Sequence, residues 1–449
     1  MYNAKIRRRT LARGIAMGMV GALALTGCSN GSPGESGEPG TGGSKTTIRF
    51  LYATGDETWN SVVDTLVSTF NAQSATTEVK LDPLPAGSDY ATALKTVDAT
   101  GNWPAIVDMR DTLTYVNAGK LAPIPAEVTD LLEPTAFAAA ESGNVYTVPY
   151  GALNGELGIN IVYDKDYFQE HNLEVPETYD DFIALMEAIK ANGDAPLATA
   201  AAEVWPSDQL WKPLAAPYFA QYSDQGGFWN VAAEGGVGIE DLRAPLEQLQ
   251  YIVDNFVLEG WQSTADAQTT TLLVNHQAVM ATSSAGLGRL MDINKVDPEF
   301  NAGLFIIPDA EGKINVLKNT VVGDTAGGLA ISAQAAENEA EYASAVEFLQ
   351  FFFSVEGANL MEEAGWISPN IIKSDEVVRN SSIPGAEDFF ALLENPNLVW
   401  FENAPTLVTF SAFNTFFRQT RIEMQDGQTT IDETIAKTQA EFDNQVAAG

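Results

Sequence analysis

Cysteine is all but missing from this chain, with one residue, Cys28, among 449. The body behind it therefore has no zinc finger, cysteine nucleophile or iron–sulfur cluster, and Cys28 has no partner for a disulfide. Histidine is nearly as scarce, at His171 and His276. A Ser-His-Asp triad would need one of these two, and no Gly-x-Ser-x-Gly elbow precedes either. No Walker or dinucleotide glycine motif sits between a strand and a helix. Basic residues are few as well: 24 Lys and Arg face 60 Asp and Glu, for a net charge of −36. After residue 28 the cations are scattered. So acidic a surface repels nucleic acid, anionic headgroups and phosphorylated ligands. Beyond the first 28 residues no apolar run approaches the ~20 residues that span a bilayer core. The composition indicates no cofactor; calcium in an acidic loop would fit it, although no EF-hand-like pattern occurs.

What is present begins with three regions in a fixed order. Lys5, Arg7, Arg8, Arg9 and Arg13 form a basic start, Ile15 to Leu25 an apolar run, and Leu25-Thr26-Gly27-Cys28 follows directly. Basic flank, short apolar core and small residues before a cut make a secretory signal, expected over residues 1–27. A retained membrane-anchoring helix is the alternative, but the run of about eleven residues is short for it. The Leu-Thr-Gly-Cys tetrapeptide resembles the lipobox of bacterial lipoproteins, which implies cleavage before Cys28 and its lipidation. Two or three acyl chains, at ~0.8 kcal/mol per buried methylene, hold far better than one. Arg7-Arg8-Arg9-Thr10-Leu11 leaves both the general and the twin-arginine export routes open. Residues 29–45 contain six Gly, four Ser and two Pro. They form a flexible leash behind Cys28, with a root-mean-square reach of roughly 20–25 Å.

From Thr46 the pattern becomes regular. Strands are expected at Ile48–Tyr52, near Val79, at Ala105–Asp108, Leu157–Tyr163, Ala278–Thr282 and Leu304–Ile307. Helices are expected from Val62 to Phe70, Ser88 to about Thr100, Pro176 to Asn192, Ile239 to Phe256, Ala336 to Ser354 and Gly357 to Glu363. Thr178 with Asp181, and Thr430 with Glu433, read as capping boxes. Strands alternating with helices argue for α/β layers with largely parallel strands.

Several local patterns then line up in order. Asn102-Trp103-Pro104-Ala105-Ile106-Val107 precedes Tyr115-Val116-Asn117-Ala118-Gly119-Lys120-Leu121. Gly143-Asn144-Val145-Tyr146-Thr147-Val148-Pro149 leads to Ile159-Asn160-Ile161-Val162-Tyr163-Asp164-Lys165-Asp166-Tyr167-Phe168. Leu173-Glu174-Val175-Pro176-Glu177-Thr178-Tyr179-Asp180-Asp181-Phe182, Gln277-Ala278-Val279-Met280 and Gly327-Gly328-Leu329-Ala330-Ile331 follow. This order resembles the extracellular solute-binding proteins of ABC importers, specifically the carbohydrate-binding family that includes maltose-binding proteins. The resemblance implies an α/β, two-lobed periplasmic-binding-protein-like fold with hinge crossings and an interlobe ligand cleft. Carried onto this chain, lobe 1 would comprise 46–152 plus 327–365 and lobe 2 would comprise 153–326 plus 366–449. The crossings would fall near Tyr150–Glu156, Asp324–Gly328 and Gly365–Ser368, where glycines supply freedom for hinge rotation or are ordinary loop glycines.

A sugar presents apolar faces and a rim of hydroxyls, so its site needs aromatic platforms and planar polar groups. Asp56, Glu57 and Trp59 follow the first strand, at the strand end where open α/β sheets bind ligands. The alternative there is a capping Asp and a packed Trp. Asp108, Arg110 and Asp111 end a buried strand, as cleft contacts or as a salt bridge. Glu203 and Trp205 lie in an irregular stretch where the family has an acidic residue and a platform. Tyr150 and Glu156 flank the first crossing, Asp324 the second and Trp366 the third, and Trp229 is a further loop aromatic. Trp211, Trp261 and Trp400 read as packing residues. Ser284 and Asn414 stand where maltose-type members carry stacking Trp, which argues against a maltodextrin and for a sugar with more polar readout.

The implied role is a lipid-anchored carbohydrate receptor on the outer face of the bacterial cytoplasmic membrane. It would be monomeric, would close on its ligand, would dock on permease subunits of an importer, and would carry no catalytic residue. A non-sugar solute such as a polyamine, which suits carboxylates and aromatics, or a peptide is the alternative. A glycoside-acting enzyme needs only two carboxylates ~5–10 Å apart, so sixty acidic residues leave it as a lesser one.

Overall fold

The computed structural model describes residues 45–54, 57–85, 88–109, 112–132, 144–150, 159–317, 328–364, 366, 372, 376–378, 383–403 and 410–448. Cys28 and residues 29–44 of the leash lie outside these residues, as do Asp56, Arg110, Asp111, Glu156 and Asp324.

The described residues form twelve strands: β1 (Thr46–Thr54), β2 (Thr77–Pro85), β3 (Ile106–Met109), β4 (Leu121–Ala122), β5 (Val148–Pro149), β6 (Asn160–Asp164), β7 (Leu197–Ala198), β8 (Met280–Ser283), β9 (Ala302–Phe305), β10 (Ile314–Leu317), β11 (Gly328–Ser332) and β12 (Leu398–Phe401). They form one sheet in the order β2-β1-β3-β11-β4, with β5 also pairing β11, and a second in the order β7-β8-β6-β9. A two-stranded sheet, β10-β12, completes the set. β1, β2 and β3 run parallel, as the strand–helix alternation predicts. β7 pairs β8 and β10 pairs β12 in parallel too, but the expectation of largely parallel sheets fails around β11 and β6. β11 runs antiparallel to β3, β4 and β5, and β6 runs antiparallel to β8 and β9. β11 returns from more than two hundred residues downstream, so no local crossover helix dictates its direction.

Both main sheets are covered on both faces. Strand side chains alternate, so Ile48, Phe50 and Tyr52 join the core with Val62, Leu66, Phe70, Phe348 and Phe352. Leu51 and Val107 point the other way, to Tyr90, Leu94 and Tyr115. The same alternation in β6 sends Ile161 and Tyr163 to a core with Phe182, Met186 and Trp211, and Val162 to one with Leu287, Leu290 and Phe389. Helices on both faces explain why β3 and β6 are buried throughout rather than on one face only.

Caps fix the element ends. The Thr178 hydroxyl accepts from Asp181 N–H, and the Asp181 carboxylate accepts from Thr178 N–H at 3.0 Å. Thr430 and Glu433 make the same reciprocal pair at the head of Ile431–Ala448. The single helix expected over 336–354 is two, Ala333–Ala336 and Glu339–Phe352, because the Asn338 side chain caps a fresh start. Gly328, at the end of the second expected crossing, opens β11. A Cβ there would stand 3.0 Å from Thr147 Cβ and 3.2 Å from Val148 O, so the close approach of β5 accounts for the glycine. Among the described residues no helix is long and apolar enough to cross a membrane.

Candidate functional site

The parallel run of β1, β2 and β3 brings their carboxyl ends to one edge, the edge at which α/β sheets bind ligands. Asp108 stands there but faces inward, with no exposed surface. Its carboxylate accepts from Tyr150 Oη at 3.0 Å and from Ala53 N–H at 3.3 Å, and its backbone carbonyl accepts from Tyr90 Oη. A carboxylate held this way clamps the end of β1 to the segment after β5, so the expectation of an open contact is corrected. The reason is that all four β3 residues are buried, and a carboxylate among them must find partners inside the protein.

Trp59 is corrected likewise. It lies in the first turns of Glu57–Gln73, only 4% exposed, with its ring stacked on Tyr150 at 4.5 Å and 21°. Trp366, half-buried, leans on Trp59 at 4.9 Å, and its indole N–H donates to Tyr150 O at 3.3 Å. Three expected ligand contacts thus form one aromatic stack, in which Tyr150 and Trp366 sit beside the first and third expected crossings.

A second cluster assembles at the carboxyl ends of β7 and β8, which also run parallel. Thr199 and Thr282 hydroxyls meet at 3.0 Å, and Thr282 donates to Gln209 Oε1 at 2.8 Å. Gln209 Nε2 in turn donates to Asp266 Oδ1 at 2.7 Å and to Ser284 Oγ at 3.1 Å. The buried Arg289 completes the set, reaching Asp266 Oδ2 and Thr270 Oγ1, each at 2.7 Å. Asp266 N–H donates to the exposed Glu203 carboxylate at 3.2 Å. The network therefore gathers Glu203 and Ser284 from positions eighty residues apart, beside the half-buried Trp205.

Trp205 opens a single 3₁₀ turn, Trp205–Ser207, which runs directly into the helix Asp208–Ala220. Asp208 anchors it. Arg418 Nε donates to its Oδ2 at 2.7 Å and Arg421 Nη2 to its Oδ1 at 2.5 Å. Burial pushes the Asp208 carboxyl up, but Arg418, Arg421 and Lys212 outweigh it and hold it down at about 2. Both arginines belong to Phe410–Gln425, the helix that carries the half-buried Asn414 and packs against the 3₁₀ turn.

Trp229 is not a loop residue. It lies in the first turn of Phe228–Ala233, buried among Phe219, Phe228, Phe413, Phe417 and Phe442. Gly227, at φ 99°, turns the chain within 2.7 Å of Asn403 as a Cβ would measure it, and so aims the following ring into the core. Glu57 begins its helix, and the structure does not describe its side chain. Gln209, Asp266, Arg289 and Asp208 escaped the sequence reading. One signal was available: Arg421 falls on the apolar stripe Phe413, Phe417, Met424 of its helix, where a charge must be partnered.

Residues 65–375 match the profile described as bacterial extracellular solute-binding protein. The chain belongs to that family. Extracellular solute-binding proteins serve ABC importers outside the cytoplasm, and they bind solutes rather than transform them. Among its relatives, a multiple sugar-binding protein of Streptococcus mutans is 24% identical over 363 residues, covering 76% of this chain and 80% of its own. Among solved structures, a chitin oligosaccharide binding protein matches at TM-score 0.74 and 19% identity, covering 89% of this chain and 99% of its own. A sugar transporter protein from Bacillus licheniformis in complex with stachyose matches at TM-score 0.68 and 16% identity, covering 89% and 100%. These likenesses show the fold: this solute-binding protein has the two-lobed periplasmic-binding-protein architecture with its interlobe cleft.

Proposed function

We propose that this chain is a lipid-anchored carbohydrate receptor of an ABC importer, which captures an oligosaccharide by hinge closure and hands it to membrane permeases. The observation that carries the reading is the cluster after β7 and β8. The Glu203 carboxylate and the Ser284 hydroxyl join one hydrogen-bonded network through Asp266 and Gln209, and the half-buried Trp205 follows Glu203 by two residues. An aromatic face beside planar and hydroxylic groups is the equipment that sugar recognition requires. The sugar names carried by the S. mutans relative and by the structural neighbours support the ligand class.

In this reading lobe 1 comprises 46–152 plus 327–365, and lobe 2 comprises 153–326 plus 366–449. Closure brings the ligand on the lobe 2 floor against the lobe 1 edge. Contacts available only in the closed form shift the population toward it. Cys28 carries the lipid, residues 29–45 tether the receptor beside its transporter, and the body acts as a monomer without a catalytic residue.

Titration calorimetry against raffinose, stachyose, a chitin oligosaccharide, spermidine and a mixed peptide pool tests the ligand class. Saturable heat with at least one sugar, and none with spermidine or peptide, is expected. Binding of spermidine or peptide alone would replace the sugar reading.

A further inference from the structure

Val204 has φ 67° and ψ −51°, a region that a β-branched residue enters only under strain. Trp205 N–H donates back to Glu203 O at 2.8 Å, closing a three-residue ring around Val204. That is the rare form of the γ-turn, which normally relaxes to its mirror image. Here it cannot relax, because both flanks are pinned. Upstream, Val204 N–H donates to Ala201 O at 2.9 Å, and Glu203 is held by Asp266 N–H, whose own carboxylate is gripped by Arg289 and Gln209. Downstream, Ser207 Oγ donates to Val204 O at 2.7 Å, and Asp208 is bound by Arg418 and Arg421. Two separate ionic clusters, one around the buried Asp208 and one around the half-buried Asp266 with the buried Arg289, thus flank one strained residue, and the next residue is the half-buried Trp205.

We propose that Val204 is a positioning residue: its strained turn, locked from both sides, sets Trp205 as a preformed platform for the ligand. This rests on Trp205 being a ligand contact, as in the function proposed above. A relaxed turn would let the ring swing over several orientations, and each binding event would then have to order it again. The rigid floor of Gln209, Asp266 and Arg289 places the polar groups, and the strained turn places the apolar face. A valine rather than glycine at this position keeps the turn from sampling the wider space that glycine allows.

The test compares the full-length protein with Val204→Gly, Trp205→Ala and the double variant, using stachyose and a chitin oligosaccharide as probes. In the absence of sugar, Val204→Gly is expected to keep or raise the unfolding midpoint, by about 1–2 °C, as released strain outweighs the added chain entropy. Affinity for the bound probe is expected to fall about three- to tenfold. In the Trp205→Ala background, Val204→Gly is expected to weaken binding no further. A midpoint that falls by several degrees overturns the strain. A midpoint that holds with unchanged affinity overturns the positioning role while Trp205→Ala still weakens binding. Unchanged affinity of Trp205→Ala, or no binding of either probe by the unaltered protein, overturns the reading beneath the proposal and the proposal with it.

Discussion

Arg421 and Asp208 meet at 2.5 Å across 213 residues of sequence, and the Arg421 guanidinium lies over the rings of Trp211 and Phe417, at 4.6 and 4.3 Å from their centroids. Among the described residues Arg421 Nε and Nη1 find no acceptor; the two aromatic faces stand in their place. Burial pulls Arg421 down to about 10, so it stays charged at neutral pH opposite an ionised Asp208. Asp208→Asn leaves this guanidinium buried without its counter-charge. The expected loss in guanidinium-chloride unfolding is ~3–5 kcal/mol. Lys437→Ala, which breaks an exposed pair with Glu423, should cost under ~1 kcal/mol.

The same pair sets an acid dependence. The surrounding cations hold Asp208 at about 2 in the fold, below the ordinary aspartate value of 3.8. A depressed carboxyl contributes stability above its unfolded value and loses it as pH falls. Its share is therefore complete above pH ~4 and fades between about 4 and 2. Unfolding free energies at pH 5 and pH 3 should drop less in Asp208→Asn than in the unaltered protein. An equal drop would show that Asp208 is not the group responsible.

Tyr150→Phe removes one of the donors that hold the buried Asp108 carboxylate. The ring and its stack on Trp59 remain, so the change isolates the hydrogen bond. A loss of ~1–3 kcal/mol is expected in urea unfolding, as for bonds to charged groups. No measurable loss would mean that Asp108 is held without Tyr150.

Trp205 and Trp229 should respond in opposite ways. Trp229→Ala empties a cavity among five phenylalanines, and a loss of ~3–5 kcal/mol of stability is expected. Trp205→Ala should change the unliganded midpoint little and weaken sugar binding about tenfold, the equivalent of ~1.4 kcal/mol. Calorimetry and thermal unfolding on the two variants separate the roles, and the reverse pattern would exchange them.

These residues mark how far the sequence can be read. Thr178 with Asp181 and Thr430 with Glu433 are legible because a capping box is contained within four residues. β1, β3 and β6 are legible because each is a compact apolar run between turns. The antiparallel entry of β11 is not, since its partners β3 and β5 are chosen by tertiary packing. The site divides in the same way. Trp205 and Glu203 stand out by residue type and place, whereas Gln209, Asp266 and Arg289 acquire meaning only when three distant segments converge. Trp59, Asp108 and Trp229 have the right residue types, yet they are drawn inward by partners that the local sequence does not show. The notable sequence signal left unread is Arg421, a charge on an apolar helical stripe.

The central claim is a cleft that closes on sugar. Small-angle scattering of the purified protein, with and without the tightest-binding oligosaccharide from the calorimetric series, measures it most directly. The account predicts a smaller radius of gyration in the saturated protein, because contacts to both lobes favour the closed form. An unchanged radius at full saturation would contradict it.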